Sequence, residues 1–507
     1  MVELKRKIMV SKRKSLPKDR FFENIEDELA LTFDDVRLRT GFSEVMPDAV
    51  DITTFFSRNV PLQIPFVSAA MDTVTEHQMA IAMAKAGGLG IIHRNLTPEM
   101  QAKEVARVKY HLNGKITEPI CVNETITISE LLQLKEQKGY TFHTFPVLNQ
   151  KRQLVGVLTE TDFDCCIDPS RLAREVMSTN LVTSHPRTTV QAAYDRMIQE
   201  RKKVLPLVNK QGHLTGLYIF SDVRRIVTES SAHYNVDDNG QLRVGAAIGV
   251  NDFERVEKLL DKRVDVVVID TAHADTKPVI DTLKQLKKRY TSLDVVVGNI
   301  SEKESARRLL DAGADGIKIG QGPGSICTTR IVAGVGTPQV TAVYWCARVA
   351  DEYKVPVCAD GGLRNSGDIP IAIGAGAHSL MMGNMFAGTN EAPGEIVFLE
   401  GKQWKGYRGM GSEGAMQQHA ASRERYRTGK SLLVPEGVEG LTPYKGPLAT
   451  VISTNIGGLR IGMGYVGAAT IEELRAKGNF QRITNAGINE SHPHDVRIVK
   501  DAPNHKR

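Results

Sequence analysis

The sequence predicts an α/β protein whose main domain is a closed (β/α)8 TIM barrel. The first observation is an alternation of short apolar runs with amphipathic stretches of helical period. The second is the count, since two such runs precede residue 100 and six follow residue 240. The third is size, because 507 residues, 41% of them hydrophobic, suffice for a large core and a second domain. An open doubly wound sheet is the alternative arrangement of the same alternation.

The predicted strands follow one another along the chain. The first two are IPFVSAAMDT and GLGIIH, separated by a helical EHQMAIAMAKAGG. The other six are VGAAIG (244–249), DVVVID (265–270), LDVVVGN (293–299), DGIKIG (315–320), VPVCADGG (355–362) and HSLMMGN (378–384). Polar residues at the carboxyl ends of barrel strands form the active site. By that rule we expect the site to include Ser68, His93, Asp270, Asn299, the Cys327 loop, Asp360 and Asn384.

An insert with a different sequence pattern, residues 115–227, separates the second and third strands. It holds an internal repeat, in which LVGVLTETDF (154–163) matches LTGLYIFSDV (214–223). Asp162 and Asp222 take equivalent positions, where a carboxylate either accepts ribose hydroxyls or caps a solvated turn. We therefore expect the barrel to comprise residues 28–114 and 228–507, with the insert as a second domain.

Composition narrows the functional class and the compartment. Residues 1–27 form a basic leader that we expect to be disordered, and the absence of basic–aromatic interleaving argues against a specific nucleic-acid partner. Six cysteines show neither a disulfide framework nor metal-ligand spacing, which indicates a reducing compartment. With no membrane-length apolar run and no signal-peptide pattern, we expect a cytoplasmic protein without a membrane partner; another intracellular site, such as a peroxisome-like organelle, stays open.

The loop GQGPGSICTTRIVAGVG (320–336) concentrates the residues with most chemistry. Its first part carries three glycines, Gly320, Gly322 and Gly324. Glycines let backbone amides approach an anion, because no side chain blocks the approach. Cys327 follows, with the hydroxyls of Ser325 and Thr329 beside it. From these residue types alone, a lone cysteine is more often a small buried hydrophobe and a glycine cluster only a turn, and a nucleophilic thiol in a phosphate-binding loop is the alternative.

Seven short motifs occur in a fixed order along the chain. They are SAAMDTVTE, GLGIIHRN, GPGSICTTRIVAGVGTPQ, ADGG, YRGMGS, LVPEGVEG and ESHPHDV. Together they resemble the inosine-monophosphate (IMP) dehydrogenase and guanosine-monophosphate (GMP) reductase family over nearly the whole chain after residue 28. The insert resembles the tandem CBS (Bateman) module that the dehydrogenases carry. The resemblance implies that Cys327 attacks purine C2, that the thioimidate formed exchanges hydride with a nicotinamide, and that Thr329 bonds the departing or attacking group.

The resemblance also implies ligands and partners. Nucleotide ligands are expected at Ser68, Met71, Asn299, Ser325, Asp360, Gly361, Gly362, Gly383, Asn384, Tyr407, Gly409, Met410, Gly411 and Glu436. The cofactor, NADPH or alternatively NAD, is expected at Asp270, Thr271, Gly320 and Gly322. Potassium is expected at Gly322, Gly324 and Cys327, together with Glu490, Ser491 and His492 of a neighbouring subunit. A homotetramer or octamer is implied, with regulatory purine nucleotides near Asp162 and Asp222.

Two sets of features point to opposite chemistries within the family. Glu413 lies in GMGSEGAM, where reductases carry glutamate and dehydrogenases usually carry leucine or isoleucine. With Thr329, its carboxyl group could protonate the ammonia that leaves C2. The CBS insert and the LVPEG and ESHPHDV segments are instead typical of dehydrogenases. A dehydrogenase hydrolyses the thioimidate with an arginine–tyrosine pair, for which Arg425 and Tyr426 are the candidates, although AASRERYRTGKS also resembles the reductase segment AEYRASEGK.

From these residues we expect an NADPH-dependent GMP reductase that converts GMP to IMP and ammonia. The alternative within the family is NAD-dependent oxidation of IMP to XMP. A catalytically silent sensor, with the CBS pair as its working part, is the alternative of another class, and the complete Cys327 loop argues against it. Asn384 replaces the serine usual in dehydrogenases but keeps a hydrogen-bonding side chain, so we expect phosphate binding to persist.

Overall fold

Eight parallel strands close into a barrel in the structure, which is a computed structural model. In chain order the strands are Phe66–Ser68, Leu89–Ile92, Gly245–Ile248, Val266–Asp270, Asp294–Ile300, Gly316–Ile319, Val357–Asp360 and Ser379–Met382. Each strand pairs with the next along the chain, and the last pairs with the first. The prediction of a TIM barrel, rather than an open sheet, is therefore confirmed.

The barrel strands are buried along almost their whole length. Helices cover their outer faces and side chains from neighbouring strands fill the interior, so both faces of each strand must be apolar. Branched side chains suit such a pleated, crowded surface. The interior cluster includes Val67, Leu89, Ile91, Ala247, Val266, Val268, Val296 and Cys358.

A helix follows each barrel strand and packs on the outside. These helices are His77–Lys85, Pro98–Lys109, Phe253–Asp261, Lys277–Arg289, Lys303–Asp311, Gln339–Tyr353, Asp368–Ala375 and Leu448–Val466. Their apolar residues recur at helical spacing, as in Phe253–Asp261, where Val256 and Leu259 are buried while Glu254 and Glu257 are not. The predicted alternation of strand and helix is thus seen along the whole barrel.

The structure describes residues 29–112, 114–116, 119–138, 140, 142–229, 233–426 and 434–499. The expected basic leader, residues 1–27, lies outside the described residues, and so do residues 427–433. The chain divides into two units, Met1–Lys109 with His233–Arg507 and Tyr110–Ala232. Among the described residues, none of the helices combines the length and the apolar character that a bilayer crossing requires.

The second unit is built from two similar halves. Its two sheets contain Val204–Val208, Leu214–Ile219 and Lys115–Ile116, and Val122–Asn123, Thr144–Leu148 and Leu154–Thr159. Its helices are Ile128–Lys138, Glu160–Asp164, Ala173–Val176, Val190–Gln199 and Phe220–Glu229. The hairpins of the two halves share one register, with an irregularity at Leu148 in one and at Val208 in the other. Each half also has its own apolar cluster, so the sequence repeat corresponds to a structural one.

Short elements complete the barrel unit. They are the strands Val36–Leu38, Thr54–Ser57, Val60–Leu62, Ile396–Leu399, Lys402–Arg408, Glu439–Pro443 and Phe480–Arg482, and the helices Thr329–Val332, Asn384–Ala387, Glu413–Gln418, Ala420–Arg425, Ile471–Lys477 and Asn485–Glu490. The pattern of LTFDDVRL predicts an extended segment, but Phe33–Asp35 form a 3-10 turn ahead of the strand Val36–Leu38. The Asp35 carboxylate accepts the Thr32 amide at 2.8 Å and so stabilises that turn.

The four glycines of KGYRGMGSEGAM predict a flexible loop, and this prediction is wrong. Lys402–Arg408 is a strand, and a helix begins at Glu413. The Ser412 hydroxyl caps this helix by accepting the Ala415 amide at 3.3 Å. The sequence pattern did not predict this helix start, because Ser412 lies among glycines and a cluster of glycines usually marks a turn.

The buried Lys109 should be essential for the stability of the barrel unit. It is 1% exposed, and its ammonium lies 2.9 Å from Asp237 and 2.8 Å from Asp265. Lys109→Ala should lower the free energy of unfolding by about 3–5 kcal/mol, because two carboxylates then lose their buried cation. Lys103→Ala, on the exposed side of the same helix, is the control and should change stability by less than about 0.5 kcal/mol. Equal urea midpoints for the two variants would contradict this role.

Candidate active site

The predicted site residues meet at the carboxyl ends of the barrel strands. Ser68, Asp270 and Asp360 each end a strand, and Asn299 lies one residue before the end of another. The Ser68 hydroxyl accepts a hydrogen bond from Thr75 at 2.9 Å. Because all eight strands run in the same direction, these polar groups gather at one mouth of the barrel.

A buried lysine joins three of these residues. Lys318 is 1% exposed, and its ammonium lies 2.6 Å from Asp360 Oδ2 and 3.1 Å from Asp270 Oδ1 while also bonding Asn299 Oδ1. The Asn299 amide donates in turn to Asp360 at 2.9 Å and to the Gly320 carbonyl at 2.6 Å. A buried charge is stable only when it is paired and hydrogen-bonded in this way. Lys318 is not among the site residues expected from the sequence, although a lone lysine inside an apolar barrel strand was a signal for it.

Cys327 lies in the glycine loop with its thiol beside two oxygen atoms. Its Sγ is 3.1 Å from Thr329 Oγ1 and 3.6 Å from the carbonyl oxygen of Glu436. Two other cysteines of the barrel, Cys346 and Cys358, are completely buried. Burial raises the pKa of Cys358 to about 12 and also raises the pKa of Cys346, so both thiols are held neutral. Cys327 is half-buried at the mouth, so it is the one of these three thiols that a ligand in the mouth could reach.

Five of the expected nucleotide ligands form one wall of the mouth. The Asn384 amide donates to Ser325 Oγ at 2.8 Å, and the Tyr407 hydroxyl lies 3.9 Å from Met71 Sδ. Gly383 fits between them because a Cβ there would lie 2.9 Å from the Tyr407 hydroxyl. Burial raises the pKa of Tyr407, which keeps its hydroxyl protonated as a donor. The structure therefore brings Ser325, Asn384, Tyr407, Met71 and Gly383 together.

A second wall is formed by backbone that crosses behind Cys327. The Glu436 amide donates to the Gly411 carbonyl at 2.9 Å, and the Thr328 amide donates to the Glu436 carbonyl at 3.0 Å. Gly409 and Met410 precede Gly411 in this wall, and Met410 Sδ lies 3.9 Å from the amide of Asn95. The expected ligands of this segment therefore lie beside the reactive loop.

Two glycines after the Asp360 strand face the same loop. Gly361 and Gly362 have φ of +87° and +83°, a conformation that favours glycine. A Cβ on either would lie 3.2–3.3 Å from Pro323, so the absence of side chains lets the cysteine loop approach the strand end.

A short helix, Ala420–Arg425, covers part of the mouth. We call residues 420–426 the flap segment. Arg425 forms an ion pair with Asp270, and its carbonyl accepts the Ala272 amide at 3.1 Å. The Tyr426 ring lies against Gly411, where a Cβ would be 2.6 Å from the ring. Burial lowers the pKa of Arg425 and raises that of Tyr426, whose pKa the nearby Cys327 also raises. The structure thus places the candidate hydrolytic pair at the site.

Glu413 lies at the rim of the site. It begins the helix Glu413–Gln418, two residues after Gly411 of the second wall. Its side chain is exposed and accepts a hydrogen bond from Gln417 at 2.9 Å. The structure therefore places this carboxylate near the mouth but bonded along its own helix rather than to Thr329.

The cofactor half of the mouth fits a nicotinamide dinucleotide. Asp270 offers a carboxylate for ribose hydroxyls, and Thr271 follows it with its hydroxyl 3.2 Å from the Gly298 carbonyl. Gly320 must be glycine, since a Cβ there would lie 2.1 Å from the Asp360 carbonyl oxygen. Gly322, with φ of +77°, would likewise bring a Cβ to 2.6 Å from Arg330. A side chain at either glycine would therefore collide with the neighbouring chain.

The remaining predicted residues belong to other segments of the chain than those that form the mouth. In the second unit the Asp162 carboxylate accepts the Thr159 amide at 2.7 Å, as a helix cap, and Asp222 lies 3.2 Å from Arg225. In the barrel unit Glu490 ends the helix Asn485–Glu490, and Ser491 and His492 follow it. The Ser491 hydroxyl donates to the Gly487 carbonyl of that helix at 2.7 Å.

Comparison with known proteins gives a consistent family assignment. The family described as IMP dehydrogenase / GMP reductase domain matches residues 30–494. The inosine-5'-monophosphate dehydrogenase of Aquifex aeolicus is 46% identical over 481 residues, covering 94% of this chain and 97% of that protein. The inosine-5'-monophosphate dehydrogenase of Halalkalibacterium halodurans is 46% identical over 488 residues, covering 96% of this chain and 99% of that protein. The crystal structure of a cysteine-to-alanine variant of Trypanosoma brucei GMP reductase, in complex with guanosine 5'-monophosphate, has TM-score 0.82 and 41% identity, covering 94% of this chain and 100% of that chain.

Asn384 should act through its amide hydrogen bond to Ser325. If Ser325 and Asn384 hold the substrate phosphate as expected, Asn384→Ala should raise the KM for the nucleoside monophosphate about five- to tenfold, because one net hydrogen bond at that site is lost. Asn384→Ser keeps a donor and should remain within about twofold of the wild-type protein. Steady-state kinetics at saturating cofactor measures both values. An unchanged KM for the alanine variant would show that Asn384 does not support phosphate binding.

Proposed function

The chain belongs to the IMP dehydrogenase/GMP reductase family, and from this premise we propose that it is a GMP reductase, converting GMP to IMP and ammonia with NADPH. Family membership makes it an oxidoreductase that acts on a purine nucleotide with a nicotinamide cofactor. The direction of the reaction is the part that we propose. Glu413 carries this proposal, since a carboxyl group at the rim of the site serves deamination and has no use in oxidation.

The chemistry explains why position 413 distinguishes the two reactions. Ammonia leaves C2 of GMP only after its nitrogen is protonated, which needs a general acid within reach. Thr329, 3.1 Å from the Cys327 sulfur, lies beside the carbon that Cys327 attacks and can relay a proton. Glu413 begins the helix next to the second wall. When its side chain turns away from Gln417, its carboxyl group can return a proton to Thr329. A leucine or isoleucine at this position could supply no proton.

In the proposed cycle, Cys327 adds through sulfur to C2 of GMP. Glu413 and Thr329 then protonate the amino group, which leaves as ammonia and gives a thioimidate on Cys327. When bound beside Asp270, the nicotinamide supplies the hydride that C2 accepts. The C–S bond then breaks, releasing IMP and restoring the Cys327 thiol. Throughout, Asp360, held by Lys318, is expected to fix the nucleotide ribose.

A specific observation favours dehydrogenase activity as the second candidate. Arg425 and Tyr426 lie at the mouth, where Arg425 pairs with Asp270, and the two side chains are the candidates for activating the hydrolytic water. The curated relatives named above are dehydrogenases, and their names favour this candidate as well. On this alternative Glu413 takes no part in the chemistry.

Several finer expectations remain proposals. NADPH is the proposed cofactor, and regulatory purine nucleotides are proposed at Asp162 and Asp222 of the second unit. The proposed oligomeric state is a homotetramer or an octamer, and the proposed compartment is the cytoplasm. Potassium is proposed at the cysteine loop, whose turn, with the Gly324 carbonyl 3.0 Å from the Cys327 amide, gathers the carbonyl oxygens that this ion prefers.

Substitution of Glu413 tests the proposed direction. Glu413→Leu should lower kcat for GMP reduction about 10²–10⁴-fold, because the general acid is removed. Gln417→Ala, which removes only the glutamine that holds Glu413, is the matched control and should stay within about threefold of wild type. Loss of nicotinamide absorbance with GMP and NADPH measures both rates. Full activity of Glu413→Leu would exclude Glu413 as the donor.

Substitution of Arg425 tests the second candidate. A dehydrogenase with Arg425→Ala should still transfer hydride from IMP but stall before hydrolysis, so intact-protein mass spectrometry would find the nucleotide bound to Cys327. Under the proposed reductase, no such adduct should accumulate from IMP and NAD. A stalled adduct at Cys327 would favour the dehydrogenase.

A further inference from the structure

We propose that Thr442 is a positioning residue for the substrate phosphate, and that it acts by fixing the orientation of the Asn384 side-chain amide. The inference rests on one part of the proposed function, the expected placement of the substrate phosphate at Ser325 and Asn384. It holds for either direction of the reaction, because both substrates are nucleoside monophosphates.

Asn384 lies between a buried hydroxyl and the open mouth of the barrel. On the buried side, the hydroxyl of Thr442, a residue only 4% exposed, donates to Asn384 Oδ1 at 3.3 Å. On the open side, Asn384 Nδ2 donates to Oγ of the exposed Ser325 at 2.8 Å. The three side chains therefore form one chain of hydrogen bonds that leads from the interior to the mouth.

The backbone around Asn384 is tied to the sheet that carries Thr442. Lys445, two residues after the strand of Thr442, donates to the Asn384 carbonyl. Lys405 pairs with Thr442 across the sheet, and its buried ammonium donates to two carbonyl oxygens within residues 389–392. Because these contacts hold the backbone, the Asn384 amide can change its orientation only by turning about its own side-chain bonds.

The orientation of this amide decides what the site offers to an anion. An asparagine amide has two N–H donors on its nitrogen and only acceptor lone pairs on its oxygen. With the nitrogen towards Ser325, one N–H bonds Ser325 Oγ, which leaves the second N–H and the serine hydroxyl proton for phosphate oxygens. With the oxygen towards Ser325, that hydroxyl proton would bond the amide instead, and an acceptor would face the phosphate. Phosphate oxygens accept hydrogen bonds, so only the first orientation suits them.

Thr442 selects the first orientation because it gives the amide oxygen a donor on the buried side. Each hydroxyl of the chain can donate or accept, and a phosphate at the mouth fixes the direction of all the bonds. Thr442 then donates to Asn384, Asn384 to Ser325, and Ser325 to the phosphate. Removal of the Thr442 hydroxyl would leave the amide oxygen without this donor and would make the reversed orientation competitive.

Equilibrium binding of GMP and of IMP to the full-length protein, without cofactor, tests the proposal. Calorimetric titration gives each Kd with no turnover. Thr442→Val keeps the branched shape of threonine and should raise both Kd values about three- to tenfold, because the hydroxyl is lost. Thr442→Ser keeps the hydroxyl and should stay within about twofold of wild type. Thr450→Val, the same change at an exposed position of the helix Leu448–Val466, is the control and should leave Kd unchanged.

A second substitution separates positioning from general damage to the site. Serine at position 384 has no amide to orient, so Asn384→Ser should restore nucleotide affinity in the Thr442→Val background to within about twofold of wild type. Ribose 5-phosphate, which carries the phosphate without the base, should lose affinity in Thr442→Val by the same factor as IMP. The Kd for NADPH, measured by nicotinamide fluorescence, should stay unchanged. Thr442→Ala also lacks the hydroxyl and should reproduce the loss.

The contrary results are equally definite. Unchanged nucleotide affinity in Thr442→Val and Thr442→Ala would overturn the proposal, as would a loss that persists in the double variant or extends to NADPH. Unchanged affinity in Asn384→Ala would overturn the expected phosphate placement and this proposal with it. Turnover of IMP with NAD, by contrast, would overturn the reductase and leave the role of Thr442 intact.

Discussion

The site depends on an ammonium ion buried in the barrel. Lys318 cannot remain unpaired there, because a charge without partners in an apolar core costs far more than folding can supply. Its partners, Asp270, Asp360 and Asn299, stand at the ends of three other strands. One cation therefore fixes the carboxylate expected to meet the cofactor and the carboxylate expected to meet the nucleotide. The cysteine loop is joined to the same network through the Gly320 carbonyl.

The two chemistries of the family differ here in one short stretch of chain. On the proposed chemistry, Cys327, Thr329 and the strand-end polar groups would serve either reaction, since both would pass through a sulfur adduct at C2. Residues 413–426 contain both the carboxyl group suited to expelling ammonia and the arginine–tyrosine pair suited to activating water. Overall similarity therefore assigns the family, whereas the direction depends on which of these groups reaches the reacting carbon.

The sequence predicted the barrel because eight short apolar runs occur with amphipathic stretches of helical period between most of them. It singled out the Cys327 loop because glycine and hydroxyl residues cluster there. It did not reveal the helix at Glu413, whose cap at Ser412 lies among glycines that favour a turn. The contact of Thr442 with Asn384 was also hidden, because it joins residues 58 positions apart. Local patterns encode the elements, whereas such pairings arise only when the barrel closes.

The most direct test of the central claim is the product formed by the wild-type protein. Purified enzyme with GMP and NADPH should release ammonia and IMP in equal amounts as NADPH is consumed, while IMP with NAD should yield no XMP. Formation of XMP and NADH in the second mixture, with no ammonia in the first, would contradict the reductase. It would make Arg425 and Tyr426 the residues that complete the reaction.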